Sequence, residues 1–305
     1  MGSHLAEILS KTDSSNLVVV ADNFFLGRTD NLNEFSKLTN TVIERTDVSS
    51  IPALLHLINK YEINIIWNLA IVPLPTSFDY PDWTLTNNIN CAKAICEAAR
   101  LVGNLRIINI SSSETFGSAR YVPMDENHPY KPETPYAASK AAADLIFDSY
   151  SKTFGLSFLT LRPFNMFGPR QNKGSYAGVI PIVIDKLLNN DPIEVYGDGN
   201  QTRDFMFVKD SVEAALIAEK NWSGLESFDL NIGTQVETSI NNLIQMIAEI
   251  LQIQSPKIIY KSKRKGDVDR HCADITKFKK FTGCTVRSIS NDSLSITVNW
   301  YRNHA

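Results

Sequence analysis

Through the first half of the chain, short apolar runs alternate with segments of helical spacing, and few folds accommodate that alternation. Leu17–Ala21 ends at Asp22, Thr41–Ile43 runs towards Asp47, and Ile63–Leu69, Leu105–Ile110 and Leu156–Leu161 follow. Runs of this length read as buried strands. Between them, Ser50–Tyr61 carries Leu54, Leu55, Leu57 and Ile58, and Trp83–Leu101 carries Ile89, Ala92, Ile95 and Ala98 on one stripe. A third helix runs from Tyr136 to about Phe154. Strand and helix in alternation predict an α/β fold with a doubly wound parallel sheet. Such a sheet puts its chemistry at the carboxyl ends of its strands.

After Phe164 the pattern loosens. It predicts helices over Ile180–Leu188 and Ser211–Lys220, and short strands over Pro192–Tyr196 and Pro256–Tyr260. An amphipathic helix capped by Thr238 or Ser239 carries Ile240, Leu243, Ile244, Ile247 and Leu251. A short helix near Ile275–Thr282 and a last one ending at Tyr301 close the chain. With 305 residues there is room for one large domain and a smaller lobe. A net charge of -3 gives no bias towards nucleic acid, and no run is apolar enough to cross a membrane. Cys91, Cys96, Cys272 and Cys284 show no metal-ligand spacing; free thiols in a reducing cytoplasm are the expectation. The basic run Lys261–Lys265 reads as a solvated loop.

Two segments carry chemistry. Tyr136 and Lys140 lie one turn apart on one helix face, with Pro135 suited to the first turn. An ammonium beside a phenol favours the phenolate and lowers the tyrosine pKa. A tyrosine so tuned can exchange a proton with a sugar hydroxyl. Upstream, Ser111-Ser112-Ser113-Glu114 stands at the end of a strand, before a long connection of the kind that is often functional.

With these segments, the chain resembles the extended short-chain dehydrogenase/reductases that act on nucleotide sugars. The likeness runs over nearly the whole length. It also rests on Asp22-Asn23, Asn68-Leu69-Ala70, Leu161–Gln171, Tyr196–Phe205 and Gly266–Arg270. It implies a Rossmann-like domain over 1–165 plus 203–232, and a smaller nucleotide-sugar lobe over 166–202 plus 233–305. It implies NAD as cofactor, a UDP-linked sugar as substrate, and a homodimer through a four-helix interface built on the two long helices.

The resemblance also implies roles. Tyr136 would take the proton of the sugar 4-hydroxyl, Lys140 would lower its pKa and hold the nicotinamide ribose, and Ser112 would bond the same hydroxyl. Asp22 and Asn23 would hold the adenosine ribose, favouring NAD over NADP, and Asp47 the adenine. Leu69, Ala70, Asn88 and Pro163 complete the cofactor side, Asn88 mainly as a support. Asn165, Arg203 and Arg270 would grip the diphosphate, since arginine meets phosphate oxygens bidentately. Tyr196 would form part of the nucleobase pocket. In 4,6-dehydratases resembling dTDP-glucose dehydratase, an Asp-Glu pair occupies the positions of Ser113 and Glu114. Ser-Glu occurs there in UDP-glucuronate decarboxylases and in some amino-sugar dehydratases. The stretch Gly174–Pro181 looks epimerase-like. The expectation is a UDP-hexose or UDP-N-acetylhexosamine 4-epimerase. A dehydratase, a decarboxylase or a catalytically silent sugar-nucleotide binder are the alternatives.

The start of the chain departs from the pattern. A dinucleotide fold opens with a strand and a glycine-rich turn leading into a helix. Here Gly2-Ser3-His4-Leu5-Ala6-Glu7 matches the segment beginning at the last glycine of that motif. The sequence reading therefore expects an absent first strand, an unpaired edge in the sheet and weakened NAD binding.

Overall fold

The computed structural model describes residues 1–172, 177–263 and 268–304. Gly174, Ser175 and Tyr176 of the epimerase-like stretch, Gly266 and Asp267, and Arg264 and Lys265 of the basic run lie outside them. In chain order the strands are β1 (Val18–Asp22), β2 (Thr41–Arg45), β3 (Ile65–Asn68), β4 (Arg106–Ile110), β5 (Phe158–Pro163) and β6 (Asn165–Phe167). They continue as β7 (Ile193–Tyr196), β8 (Thr202–Phe207), β9 (Phe228–Ile232), β10 (Glu237–Ser239), β11 (Ile258–Lys261) and β12 (Arg270–His271). The helices are α1 (Gly2–Thr12), α2 (Ile51–Tyr61), α3 (Thr76–Asp79), α4 (Pro81–Val102) and α5 (Pro135–Phe154). They continue as α6 (Val179–Leu188), α7 (Val208–Asn221), α8 (Ile240–Ile250), α9 (Thr276–Thr282) and α10 (Asn291–Asn303).

The main sheet is parallel, in the order β3-β4-β5-β9, and helices cover both faces. Side chains alternate across it. Ile107 and Phe158 face α2, α4 and α5, where Leu54, Ile95 and Phe147 pack. Ile108, Leu159 and Leu161 face α7 and α9, where Ala214, Ala218 and Phe278 pack. The second core gathers α6, α8 and α10 around β7 and β8, through Ile184, Leu243, Leu294 and Val195. Ser239 caps α8 by accepting from Asn242 N at 3.1 Å.

Two further strands stand apart. β1 and β2 pair with each other in parallel, and neither hydrogen-bonds to β3. Among the described residues, β1 and β3 therefore each keep one unpaired edge, as the sequence reading expects. α1 spans the two pieces. An added Cβ on Gly2 would lie 4.0 Å from Leu69, just beyond β3, while Ala6 packs on Val18 and Val20 of β1. All five residues of β1 are only half-buried, whereas all six of β5 are buried.

Candidate active site

The chain builds its most closely connected polar surface where β4 ends and α5 begins. Thr134 starts α5 by accepting from Ala137 N at 3.1 Å, and Pro135 occupies the first turn, where its missing N–H costs nothing. Tyr136 and Lys140 then fall on one face. Beyond β4, Ser112 caps a short turn over Ser113–Phe116 by accepting from Glu114 N at 3.2 Å. The Ser112 hydroxyl also hydrogen-bonds the Tyr136 phenol. Ser112, Glu114, Tyr136 and Lys140 are thus brought together as the motif reading expects. Ser113 is buried behind them.

One expectation fails in direction. The Tyr136 phenol is not made more acidic. Its pKa is pushed up to about 12, chiefly by burial, with the charges of Glu114 and Asp144 adding, while the Ser112 hydrogen bond pulls the other way. Lys140 is itself pushed down to about 8 by burial. Its ammonium donates to Ile110 O at 2.6 Å rather than to the phenol. Desolvation disfavours the charged form of each group and is the largest cause of both shifts.

On the adenosine side, the Asp22 carboxylate ends β1 and accepts from Phe24 N at 2.7 Å; Asn23 accepts from Phe25 N at 3.0 Å. An added Cβ on Gly27 would come within 2.8 Å of that carboxylate, so a side chain there would push the carboxylate aside. Sequence reading passed over Gly27, although it follows Asp22 closely. Asp47 likewise accepts from Ser49 N, at 2.9 Å. Leu69 and Ala70 follow β3 beside Gly2, and Pro163 is buried at the end of β5.

Asn88 does not face this space with a free amide. Its oxygen accepts from Val72 N at 2.7 Å, and its nitrogen donates to Val72 O at 3.0 Å and to Ser139 Oγ at 2.9 Å. It clamps α4 to α5 one residue before Lys140, so its influence on the site passes through the helix.

Asn165 Nδ2 and Arg170 Nη1 are buried with no hydrogen-bond partner among the described residues. A buried donor left unpaired is costly, so both mark a place for a polar ligand. Arg170 holds Glu7 of α1 at 2.7 Å through its other nitrogen. Tyr196 ends β7, its hydroxyl donating to Glu194 at 3.1 Å. Arg203 and Arg270 separate. The parallel register sets Arg270 level with Thr202 and His271 level with Arg203. The two arginines therefore leave their strands on opposite faces. Arg270 forks onto Glu237, one arm at 2.9 Å, and that carboxylate also takes the Thr202 hydroxyl. Arg203 lies on the side of His271, which is buried and donates Nε2–H to Gly117 O at 2.8 Å.

The four thiols are free, with Cys91, Cys96 and Cys272 buried. Among the described residues no helix is long and apolar enough to cross a membrane.

Comparison with known proteins agrees with this arrangement. A putative UDP-glucose 4-epimerase of Methanocaldococcus jannaschii is 31% identical over 306 residues, covering 100% of this chain and 96% of the relative. A UDP-N-acetyl-alpha-D-glucosaminuronate decarboxylase of Bacillus cytotoxicus is 30% identical over 313 residues, covering 99% and 94%. The crystal structure of a Bacillus cereus UDP-glucuronic acid 4-epimerase, solved with UDP-glucuronic acid and NAD, superposes with a TM-score of 0.91 at 26% identity, covering 100% and 96%. Residues 1–289 match the family described as GDP-mannose 4,6 dehydratase. A tyrosine and lysine on one helix, facing a serine-rich turn at the end of a parallel strand, thus find their relatives among enzymes of nucleotide sugars, and the chain belongs to the GDP-mannose 4,6 dehydratase family.

Proposed function

We propose that the protein is an NAD-dependent nucleotide-sugar epimerase, acting on a UDP-linked hexose or N-acetylhexosamine through a 4-keto sugar. The observation that carries the choice is the turn after β4. It presents the hydroxyl of Ser112 and a single carboxylate, Glu114, with a buried serine between them. Where an Asp-Glu pair stands here it is the acid and base of water elimination, and Ser113 in place of the aspartate speaks against that type of dehydratase, though not against those that carry Ser-Glu. Inverting C4 calls for one proton exchange at the hydroxyl, returned after the ketone has turned its other face. Ser112 and Tyr136 suffice for that.

The residues fit the dinucleotide. Asp22 stands at a strand end where it can accept from ribose hydroxyls, Lys140 has donors left beyond Ile110 O, and Gly2 keeps the first turn of α1 open. When bound, NAD supplies the hydride acceptor and a positive charge near the phenol. Lys140 holds the adjoining ribose, and Tyr136 takes the 4-hydroxyl proton while Ser112 orients that oxygen. Asn165 and Arg203 meet the substrate diphosphate, and Tyr196 borders the nucleobase. Arg270 joins them only by leaving Glu237. Residues 1–165 with 203–232 are assigned to the dinucleotide domain and 166–202 with 233–305 to the sugar lobe, with two elements crossing that division: β8 packs with α6, α8 and α10, and α9 packs on the main sheet. α4 and α5 supply the dimer face, and the enzyme works in the cytoplasm.

The decarboxylase relative keeps a second reading in view, in which the 4-ketone activates loss of a C6 carboxylate. The test is to incubate the protein with NAD and, separately, UDP-glucose, UDP-N-acetylglucosamine, UDP-glucuronate and dTDP-glucose, following the sugar protons by NMR. Inversion at C4 is expected. Release of carbon dioxide, or a 4-keto-6-deoxy product, would overturn the epimerase assignment.

A further inference from the structure

α5 carries a third functional group in register with the pair. Tyr136, Lys140 and Asp144 are spaced at four-residue intervals and share one face. Asp144 is buried, and four donors from three other segments converge on it. Ser111 Oγ lies at 2.7 Å, Tyr130 OH at 3.0 Å, Arg162 Nε at 3.1 Å and Asn109 Nδ2 at 3.3 Å. The ion pair continues outward. Arg162 reaches Asp229 at 3.0 Å, and Asp229 reaches Lys277 at 2.7 Å. A cavity of about 290 Å³ between α5, β5 and β9 opens on these groups and gives the network a wet side.

We propose that Asp144 is a positioning residue that holds the buried Lys140 in its ammonium form and so sets the pH range of the Tyr136/Lys140 pair. Two acidic groups act on Lys140, Asp144 from its own helix and Cys91 from α4. The Cys91 thiol is itself pushed up to about 11 by burial, so it is neutral at working pH. Asp144 lies one helical turn from Lys140 and bonds Ser111, next to the Ile110 carbonyl that takes the ammonium, so it is left as the charge that opposes desolvation, offset in part by its partner Arg162. The same charge acts on Tyr136, together with Glu114 from the turn after β4. Removing it makes proton loss easier at both groups. Asp229 acts at one remove: without it, the Arg162 cation is compensated by Asp144 alone, and the net charge facing Lys140 becomes more positive.

This rests on the assignment of Tyr136 and Lys140 for its effect on turnover, but its titration does not. The full-length protein is labelled with ¹³C at lysine Cε, and Lys140 is assigned through Lys140→Met. In the unsubstituted protein the midpoint of Lys140 is expected near 8. Asp144→Asn should lower it by about one pH unit or more, while Asp144→Glu leaves it within a few tenths. Asp229 stands at the solvent side, so Asp229→Asn serves if Asp144→Asn does not fold; it should lower the midpoint by a few tenths. An unchanged midpoint in Asp144→Asn, or in Asp229→Asn where only that variant folds, overturns the proposal. The alkaline limb of kcat/KM should move down with the midpoint. A lower rate with unmoved limbs would reduce Asp144 to a packing residue. If no nucleotide sugar is turned over, the function assigned above fails while the titration still decides this one.

Discussion

At the end of β4, Ser112 bonds Tyr136, Lys140 is buried against Ile110 O, and Asn88 spends its whole amide on Val72 and Ser139. At the end of β1, the Asp22 carboxylate accepts from Phe24 N in its own turn, on a strand whose one partner among the described residues is β2. Both ends carry the groups that cofactor chemistry asks for, but their support differs. The proton-handling side sits on strands that are paired on both edges and covered on both faces. The adenosine side sits on a two-stranded sheet, and such pairs are marginal unless packing supports them. Here Ala6 of α1, Leu32 and Phe35 supply that packing. From this contrast we expect the groups at the end of β4 to be the more firmly held and the β1–β2 side to open more readily.

The largest test falls on the β4 side. Tyr136→Phe removes the hydroxyl to which we assign the proton transfer and leaves the ring that fills its site. We expect kcat to fall by about 10²–10⁴, with UDP binding by calorimetry within about twofold of the unsubstituted protein. A fall of less than about tenfold would show that another group carries the proton. Next in size is the difference in rigidity. By hydrogen exchange, the amides of β1 and β2 should open at least about 10²-fold more readily than those of β4 and β5. Equal protection would mean that the half-buried strands are as firmly held as the core. Added NAD should narrow the gap, and its affinity should be weaker than micromolar. Tighter binding by calorimetry would show that the unpaired edges of β1 and β3 cost the cofactor site little.

The two sides were also unequally legible in the sequence. α5 could be read to the residue because its start is local chemistry: Thr134 caps, Pro135 fits the first turn, and Tyr136 and Lys140 follow at one-turn spacing. The strands β4 and β5 showed as apolar runs because they are buried, and β3 showed as one although only Asn68 in it is buried. The pKa of Tyr136 could not be read, because burial and the Asp144 charge come from packing. Asp144 itself stood in plain view, one turn beyond Lys140, but nothing local marks an aspartate on a helix as the meeting point of Ser111, Tyr130 and Arg162. The separation of Arg203 from Arg270 depends on the register of a two-residue strand, β12, too short to show any alternation. β6 and β10, three residues each, were missed for the same reason.

The smallest expected effect probes the β1–β2 side through one charge. Asp22→Asn keeps Oδ1 for Phe24 N, so the turn survives, and it puts an amide nitrogen of similar size where Oδ2 approaches Gly27. What it removes is the negative charge that repels a 2′-phosphate and accepts strongly from the ribose hydroxyls. A hydrogen bond to a charged group contributes about 1.5–3 kcal/mol. The preference for NAD over NADP should therefore fall by about tenfold, through weaker NAD and stronger NADP binding together. Arg28 is only loosely engaged, since its contact with Asp30 is long, at 3.9 Å, and exposed. The thermal midpoint should stay within about a degree, because no contact of β1 is lost. Asp22→Ala serves as the contrast: it also strips the acceptor from Phe24 N, and should destabilise the β1–β2 pair by about 1 kcal/mol. If the two substitutions shift the preference equally but only the alanine loosens β1, the charge selects the cofactor and the hydrogen bond holds the turn. An Asp22→Asn protein with unchanged preference would instead place the ribose away from β1, and the adenosine side would have to be sought elsewhere in the fold.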